Sequence, residues 1–510
     1  MTKTFFTLIG FLLLSACTQL PDNTHTPRDY VIDPQLDGRM RHAVDRLNFP
    51  DDASSAFLPI ADGLAAFAAR VQLVEAADHS LDIQYYIWHN DLTGRILAKR
   101  VLDAADRGVR VRLLLDDIDT AGKELGLQAL NHHPMISIRL FNPITSGSVR
   151  AFNAIGDLDR VNRRMHNKSL TADGTAVIIG GRNIGNEYFS AEAHASFADF
   201  DVIGVGTILE QSNRNFDDYW NSIHSYPLEL IHRPHANPDQ ALKQLRSNLA
   251  DFEEAALESD YIQALNSSRE MHHAIAEERD LLWGNAYLLT DAPDKLDASE
   301  VTIETHVALQ LHRVLSAAEQ EVLIVSPYFV PTDALLGFFD ELISEGIRVR
   351  ILTNSLSAND VSLVHAGYLN HREALLEMGV ELFEYRDNPT QEHTRGHWYG
   401  SSRASLHAKT ITIDDRFVFV GSFNVDPRSM YLNTEMGVLI ENQAMADGFE
   451  KALGDSLINR AYEVTLVDGK LNWRTMIEGE EIHYDYEPET SWWTRTKTRV
   501  LSWFVIEDWL

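Results

Sequence analysis

Cysteine is almost absent from this chain: one residue, Cys17, in 510. No intrachain disulfide can therefore support the fold. Cations are also few, 44 Lys and Arg against 75 Asp and Glu, for a formal net charge of −31. A surface of that sign repels nucleic acid and anionic lipid at long range. That weighs against a nuclease, although a local basic site can override net charge. Beyond the N-terminus no apolar run reaches the roughly 18 continuous residues of a membrane-crossing helix. Matched metal-ligand sets are missing too. His132-His133, His272-His273 and the pair His393/His397 have no Cys or carboxylate set at ligand spacing, so they read as surface or core histidines. Composition is otherwise that of a globular protein, 45% apolar and 23% charged, with length for about two to four domains.

The single cysteine is informative by position. Lys3 precedes the apolar run Phe5 to Leu14, and Leu14-Ser15-Ala16-Cys17 closes it. Charge, apolar run and small residues in that order make a secretory signal, too short for a comfortable span. The closing string is similar to a bacterial lipobox, which implies a signal peptide over 1–16 and lipidation of Cys17. Residues 17–56, polar and holding Pro21, Pro27 and Pro34, are expected to be a tether. At the other end, 471–510, Trp492, Trp493, Trp503, Phe504 and Val505 mix with Arg495, Lys497 and Arg499. That mixture suits a membrane interface, with Trp at headgroup depth and cations near lipid phosphate.

Between these ends the pattern repeats. Gly63 to Asp78 has helical periodicity, Leu81 to Trp88 reads as a strand, Gly94 to Arg107 as a helix and Val109 to Leu115 as a strand. Such a βαβ unit implies a parallel sheet with helices on its faces. It returns with a helix over 306–318, a strand over 321–325, a helix over 333–344 and a strand over 347–352. Arg107-Gly-Val-Arg-Val-Arg-Leu-Leu even matches Glu345-Gly-Ile-Arg-Val-Arg-Ile-Leu. The fold class is therefore α/β, with two similar α/β/α lobes over 57–226 and 300–470. The Ala/Leu/Glu-rich stretch 227–299 reads as a helical connector or insert.

Each lobe carries the same short motif. His166-Asn-Lys168-x4-Asp173 continues to Gly180-Gly-Arg-Asn183, and His407-Ala-Lys409-x4-Asp414 continues to Gly421-Ser-Phe-Asn424. In both copies Asn follows His by 17 positions and Gly follows Asp by 7. Alternation predicts a strand from His407 to Ile413, with His and Lys on one face. If the lobes pair about a pseudo-twofold axis, two imidazoles and two ammoniums share one cleft, with Asn183 and Asn424 near them. A phosphodiester needs that inventory. One neutral His attacks phosphorus and the other, protonated, supplies a proton to the leaving alkoxide. Lys168, Lys409 and the Asn amides stabilise the non-bridging oxygens. The lysines provide the cationic charge, so no metal or other cofactor is required. Asp199 and Glu435 stand 33 and 28 residues after His166 and His407. Each is expected to orient the His of its own lobe and fix its tautomer, with Asp201 a weaker competitor. Asp173 and Asp414 belong to the catalytic motif, but holding a turn or bonding across the halves suits them better than chemistry. The aromatics Tyr85, Tyr86, Tyr328 and Phe329 read as core, and the segment around His393 and His397 as a candidate cleft lining.

The paired motifs resemble those of the phospholipase D superfamily, over most of residues 57–226 and 300–470. Lipobox, size and interrupted second half are most similar to the bacterial cardiolipin synthases of the C type. The resemblance implies a two-lobed fold with one shared site, His166 as nucleophile and His407 as acid/base. It implies transfer of a phosphatidyl group from phosphatidylethanolamine to phosphatidylglycerol at a membrane surface; with the net charge of −31, no nucleic acid is expected as partner. It places the chain in the bacterial envelope, lipid-anchored and facing the periplasm, in either membrane. The need for an accessory protein is left open. A hydrolase of the same fold, acting on phospholipid or nucleic acid, and a catalytically silent envelope binding protein are the alternatives.

Overall fold

The computed structural model describes residues 20–34, 36–144, 158–191, 196–267, 281–297, 302–359, 361–386, 404–453 and 457–503. Cys17, His272, His273, His393, His397, Phe504 and Val505 lie outside the described residues.

Lobe 1 opens with β1 (Ser55–Ile60), α1 (Gly63–Ala76), β2 (Ser80–Tyr85), α2 (Leu92–Asp106), β3 (Arg110–Asp116), α3 (Glu124–Asn131) and β4 (Ile136–Phe141). It continues with β5 (Ser169–Ala172), β6 (Ala176–Gly180), β7 (Ser196–Ala198), β8 (Asp201–Gly206), α4 (Ile208–Trp220) and β9 (Ser225–Pro227). Aspartates start α1 and α2: Asp62 accepts from Ala65 N and Asp91 from Gly94 N, filling donors that a helix leaves open. Gly108 ends α2 at φ +97° and turns the chain into β3, a conformation glycine adopts without steric cost. Gly346 does the same in lobe 2 at φ +90°, so the matching Gly-Val/Ile-Arg-Val strings are matching helix-to-strand turns.

Lobe 2 runs β10 (Leu282–Thr290), α7 (Val307–Leu315), β11 (Glu321–Val325), α8 (Asp333–Ser344), β12 (Arg348–Asn354), α9 (Ser362–Leu369), α10 (Arg372–Met378) and β13 (Glu381–Tyr385). After it come β14 (Ala404–Leu406), β15 (Thr410–Ile413), β16 (Phe417–Gly421), β17 (Met436–Glu441), α11 (Gln443–Leu453), β18 (Ala461–Val467), β19 (Lys470–Ile477), β20 (Glu480–Tyr484) and α12 (Trp492–Ser502). The connector supplies α5 (Pro238–Ala256) and α6 (Asp260–Ser267).

In each lobe three strands are parallel, β2-β3-β4 and β11-β12-β13. The motif hairpin adds antiparallel to the first of them, β5 on β2 and β15 on β11. The two sheets join where β1 pairs with β10, giving 18 strands in one sheet. An inner core lies between the lobes, with Val177, Ile179 and Val202 of lobe 1 among Val418, Val420 and Val438 of lobe 2. Each lobe keeps an outer core under its helices.

Four expectations change. Residues 20–34 are packed on lobe 1 rather than hanging free: the Asn23 amide donates to Ile223 O (2.9 Å) and Ser225 O (3.0 Å), and Asp29 accepts from Arg110 (2.9 Å). The stretch 227–299 is helical only in part, because β10 is a strand of lobe 2 paired with β17. Lobe 2 continues past residue 470, since β19 and β20 extend its sheet from β18. Finally, His407 to Ile413 is not one strand. The chain leaves β14, which pairs with β7 of the other lobe, and enters β15 in the main sheet. His407 and Lys409 lie at this crossing.

Candidate active site

Two inter-lobe pairings build the site. β14 runs parallel to β7, and His407 N donates to Ala198 O (2.7 Å). In the mirror position Met165 bridges to Thr434, and His166 N donates to Thr434 O (2.8 Å). Each motif His is thus tied to the residue just before a carboxylate of the other lobe. The consequence is a crossed arrangement: His166 Nδ1 donates to Glu435 Oε2 (2.8 Å) and His407 Nδ1 to Asp199 Oδ2 (2.6 Å). The expectation that each carboxylate serves its own lobe is corrected, because the nearest residue in space to each motif belongs to its counterpart. With Nδ1 committed, Nε2 of each ring is the atom left for chemistry.

Asp199 reaches His407 because residue 181 is glycine. A Cβ there would stand 2.2 Å from Asp199 Oδ1. The corresponding Ser422 instead donates its hydroxyl to Glu435 Oε2, and Ser429 Oγ donates to Oε1 (2.8 Å). Asp201 does not compete. It is buried in ion pairs with Arg70 (2.9 Å) and Arg182 (3.1 Å).

The lysines are as buried as the histidines. Lys168 Nζ donates to His166 O (2.6 Å) and Lys409 Nζ to His407 O (2.5 Å). Asn183 accepts from Ile87 N (3.2 Å) and donates to Tyr188 Oη (3.0 Å). Asn424 is buried, and among the described residues its Oδ1 has no hydrogen-bond partner. Charge crowding sets the protonation pattern. Burial holds His166 well below the ordinary histidine range, reinforced by Lys168, Lys409, His407 and Arg428. Burial and Lys409 also lower His407, but there Asp199 opposes them. Burial alone would raise Asp199, yet His407, Lys409 and Arg182 outweigh it and keep the carboxyl below its usual range. Burial pushes Glu435 up. A proton is therefore better supported on His407, and a neutral ring on His166.

Asp173 and Asp414, read in the motif as catalytic, sit at the far ends of their hairpins. Five residues of strand, at about 3.3 Å each, separate them from the lysines. Asp173 accepts from the backbone N–H of Asp78 (3.0 Å), His79 (2.8 Å) and Ser80 (2.8 Å). Asp414 accepts from Glu319 (2.7 Å), Gln320 (2.7 Å) and Glu321 (2.9 Å). Both pin the hairpin to the start of a parallel strand.

Several neighbours escaped the sequence reading. The Tyr86 ring stands edge-on to His166 at 4.9 Å, with Lys168 Nζ 5.5 Å from its centre. Its place at the end of β2 was the available signal, yet it read as core. Tyr188 and Phe197 flank His407 at 5.2 and 4.9 Å. Asp116, at the end of β3, accepts from Met165 N (2.7 Å), and Asn354, at the end of β12, accepts from Leu406 N (2.9 Å). Each holds the residue before a motif His. His132 and His133 pair with Asp239 (2.7 Å) and Asp106 (3.2 Å). Among the described residues only His89, Asp91 and Glu187 come together at ligand spacing, and Asp91 is engaged by Gly94 N and Asn186 N.

A family model described as cardiolipin synthase, PLD-like domain, matches residues 71–220 and 311–456. The chain belongs to the phospholipase D superfamily. Cardiolipin synthase C of Escherichia coli (strain K12) is 40% identical over 480 residues, 92% of this chain and 99% of that protein. Cardiolipin synthase A of Pseudomonas entomophila (strain L48) is 26% identical over 414 residues, 80% of this chain and 70% of its own. The crystal structure of phosphatidylserine synthase from Haemophilus influenzae Rd KW20 has the same fold, with TM-score 0.58 at 15% identity, over 92% of this chain and 100% of that one. Both superfamily motifs therefore lie in matched segments, one per lobe.

Proposed function

We propose that this chain is a phosphatidyltransferase that makes cardiolipin, with phosphatidylethanolamine as donor and phosphatidylglycerol as acceptor. The observation that carries the reading is the crossed pair of hydrogen bonds from His166 to Glu435 and from His407 to Asp199. It gives two buried imidazoles with Nε2 left for chemistry and unequal support for a proton. Neutral His166 attacks phosphorus through Nε2. The P–O bond to ethanolamine breaks, and its oxygen takes the proton from His407 Nε2. The phosphatidyl group is then held on His166. The primary hydroxyl of phosphatidylglycerol loses its proton to His407 Nε2 and attacks phosphorus, releasing neutral His166 and restoring protonated His407. Lys168 and Lys409 turn from the histidine carbonyls toward the phosphate oxygens as charge builds there.

No helix among the described residues is long and apolar enough to cross a membrane. We propose attachment through a lipidated Cys17 and through α12, with the enzyme at the envelope surface facing the periplasm. In α12 and at its end, Trp492, Trp493 and Trp503 are 60%, 73% and 73% exposed, unusual for so large an apolar ring. Lys497 and Arg499 are exposed beside them.

Lipid chromatography of a cardiolipin-deficient host expressing the chain tests the reading. Cardiolipin is expected with the wild type. His166→Ala and His407→Ala should each lower its rate of formation by at least about 10³-fold, with ethanolamine release lost in parallel. Stable protein that forms no cardiolipin from either lipid overturns the proposal. Free phosphatidic acid in its place identifies a hydrolase.

A further inference from the structure

The connector helix α5 lies over lobe 1 and roofs a cavity of about 600 Å³, within the range of small-molecule sites. Its walls are Val101 of α2, Leu115 of β3, Leu127 and Leu130 of α3, with Leu249 and Phe252 of α5 overhead. Tyr86, Trp88 and Asp116 also line it. Tyr86 is the ring in edge contact with His166, so the cavity begins one side chain from the nucleophile. Asp116 holds the backbone of Met165, one residue before it.

The two cations along the cavity are both engaged. Lys123 Nζ donates to Asp119 Oδ2 (2.5 Å) and to Trp88 O (2.7 Å). Arg95 donates to Asn90 Oδ1 (2.9 Å) and lies over the Phe252 ring at 4.7 Å. With both cations engaged, what the cavity offers a ligand is its apolar wall. On α3, a Cβ added at Gly126 would meet nothing within 4 Å, although the position lines the cavity.

We infer that this cavity binds one acyl chain of the phosphatidyl donor while its phosphate lies at His166. The inference rests on the phospholipid reading of the site and adds where the lipid tail goes. It also gives the connector a role, because α5 forms one wall of the slot. The adjacency of cavity and nucleophile on either side of Tyr86 favours a tail over an unrelated ligand, because the ester groups of a phosphatidyl lipid lie only a few bonds from phosphorus. Burial of each methylene is worth a factor of roughly four in affinity, so the slot should read chain length.

The test is a ladder of phosphatidylethanolamine donors with acyl chains from 6 to about 16 carbons, kept monomeric or in mixed micelles. For the wild type, kcat/KM is expected to climb with length and then level off. Gly126→Trp fills the slot without a backbone penalty, since Trp is a better helix former than Gly. It should move the plateau to shorter chains and lower the long-to-short ratio of kcat/KM at least tenfold. An independent reading uses phosphatidylethanolamine with brominated chains, without acceptor. It should quench a component of the wild-type tryptophan fluorescence that is missing in Trp88→Phe. An unchanged ladder in folded Gly126→Trp, or no quenching of Trp88, overturns the acyl slot. Wild-type protein that quenches but makes no product at any length overturns the transferase reading and leaves the slot standing.

Discussion

At the scale of single residues the site depends on who faces whom. His407 is lowered by burial and Lys409 and supported by Asp199. Removing the carboxylate charge removes an influence that raises its pKa, so Asp199→Asn should leave less His407 protonated at neutral pH. The descending limb of the pH–kcat/KM profile, which reports loss of the acid's proton in the coupled pair, is expected to move to lower pH. Activity at pH 7 should fall by about 10²–10⁴-fold, with partial recovery in more acidic buffer. An unmoved limb would take Asp199 out of this role. Gly181 gives a second probe. A methyl there would stand 2.2 Å from Asp199 Oδ1, so Gly181→Ala pushes the carboxylate off His407. Misplacement of about 1 Å can cost roughly 10²-fold, and a loss of that order is expected in protein whose circular dichroism is unchanged.

At the scale of elements, the motif splits into a chemical end and a structural end. Asp173 and Asp414 each collect three backbone N–H groups at a turn. Asp173→Ala should leave those donors unpaired and cost roughly 2–4 kcal/mol, seen as a lower thermal midpoint. The rate per folded molecule should change far less than in the histidine variants. A motif-wide collapse of kcat at unchanged stability would return Asp173 to the chemistry. The same elements mark how far the sequence could be read. The βαβ units were legible because helix and strand periods alternate cleanly from Gly63 to Leu115 and return near residue 306. The His, Lys and Asn spacing was legible because it is printed twice. The crossed carboxylates were not, because β7 and β14 are three residues each and pair across about 200 residues of chain. Periodicity says nothing about such a partner. Tyr86 was passed over for a related reason: an aromatic at a strand end looks the same whether it packs a core or backs a catalytic ring. β10 was hidden inside a charged, helical stretch, where the burial pattern of an inter-lobe strand has no local signature.

At the scale of the whole molecule, the charge of −31 and the anionic lipid proposed as acceptor pull in opposite directions, and distance decides between them. At about 0.15 M salt, charges more than about 8 Å apart are largely screened, so only residues at the bilayer count. If α12 is the membrane face, as proposed, those are Lys497 and Arg499 with the exposed tryptophans. Near an anionic surface each cation is worth about 1 kcal/mol. The double variant Lys497→Gln/Arg499→Gln should therefore bind phosphatidylglycerol vesicles about 30-fold more weakly, measured by flotation of protein that begins after Cys17. Salt gives the opposing sign. At about 0.01 M the screening length grows to about 30 Å, and the acidic body of the protein then feels the membrane and is repelled. Wild-type binding should pass through a maximum at intermediate salt, weak below it from repulsion and weak above it as the α12 cations are screened. In the double variant the fall at high salt should disappear while the rise from low salt remains. A steady decline from the lowest salt upward would mean that local attraction governs at every distance and that the acidic body does not face the bilayer.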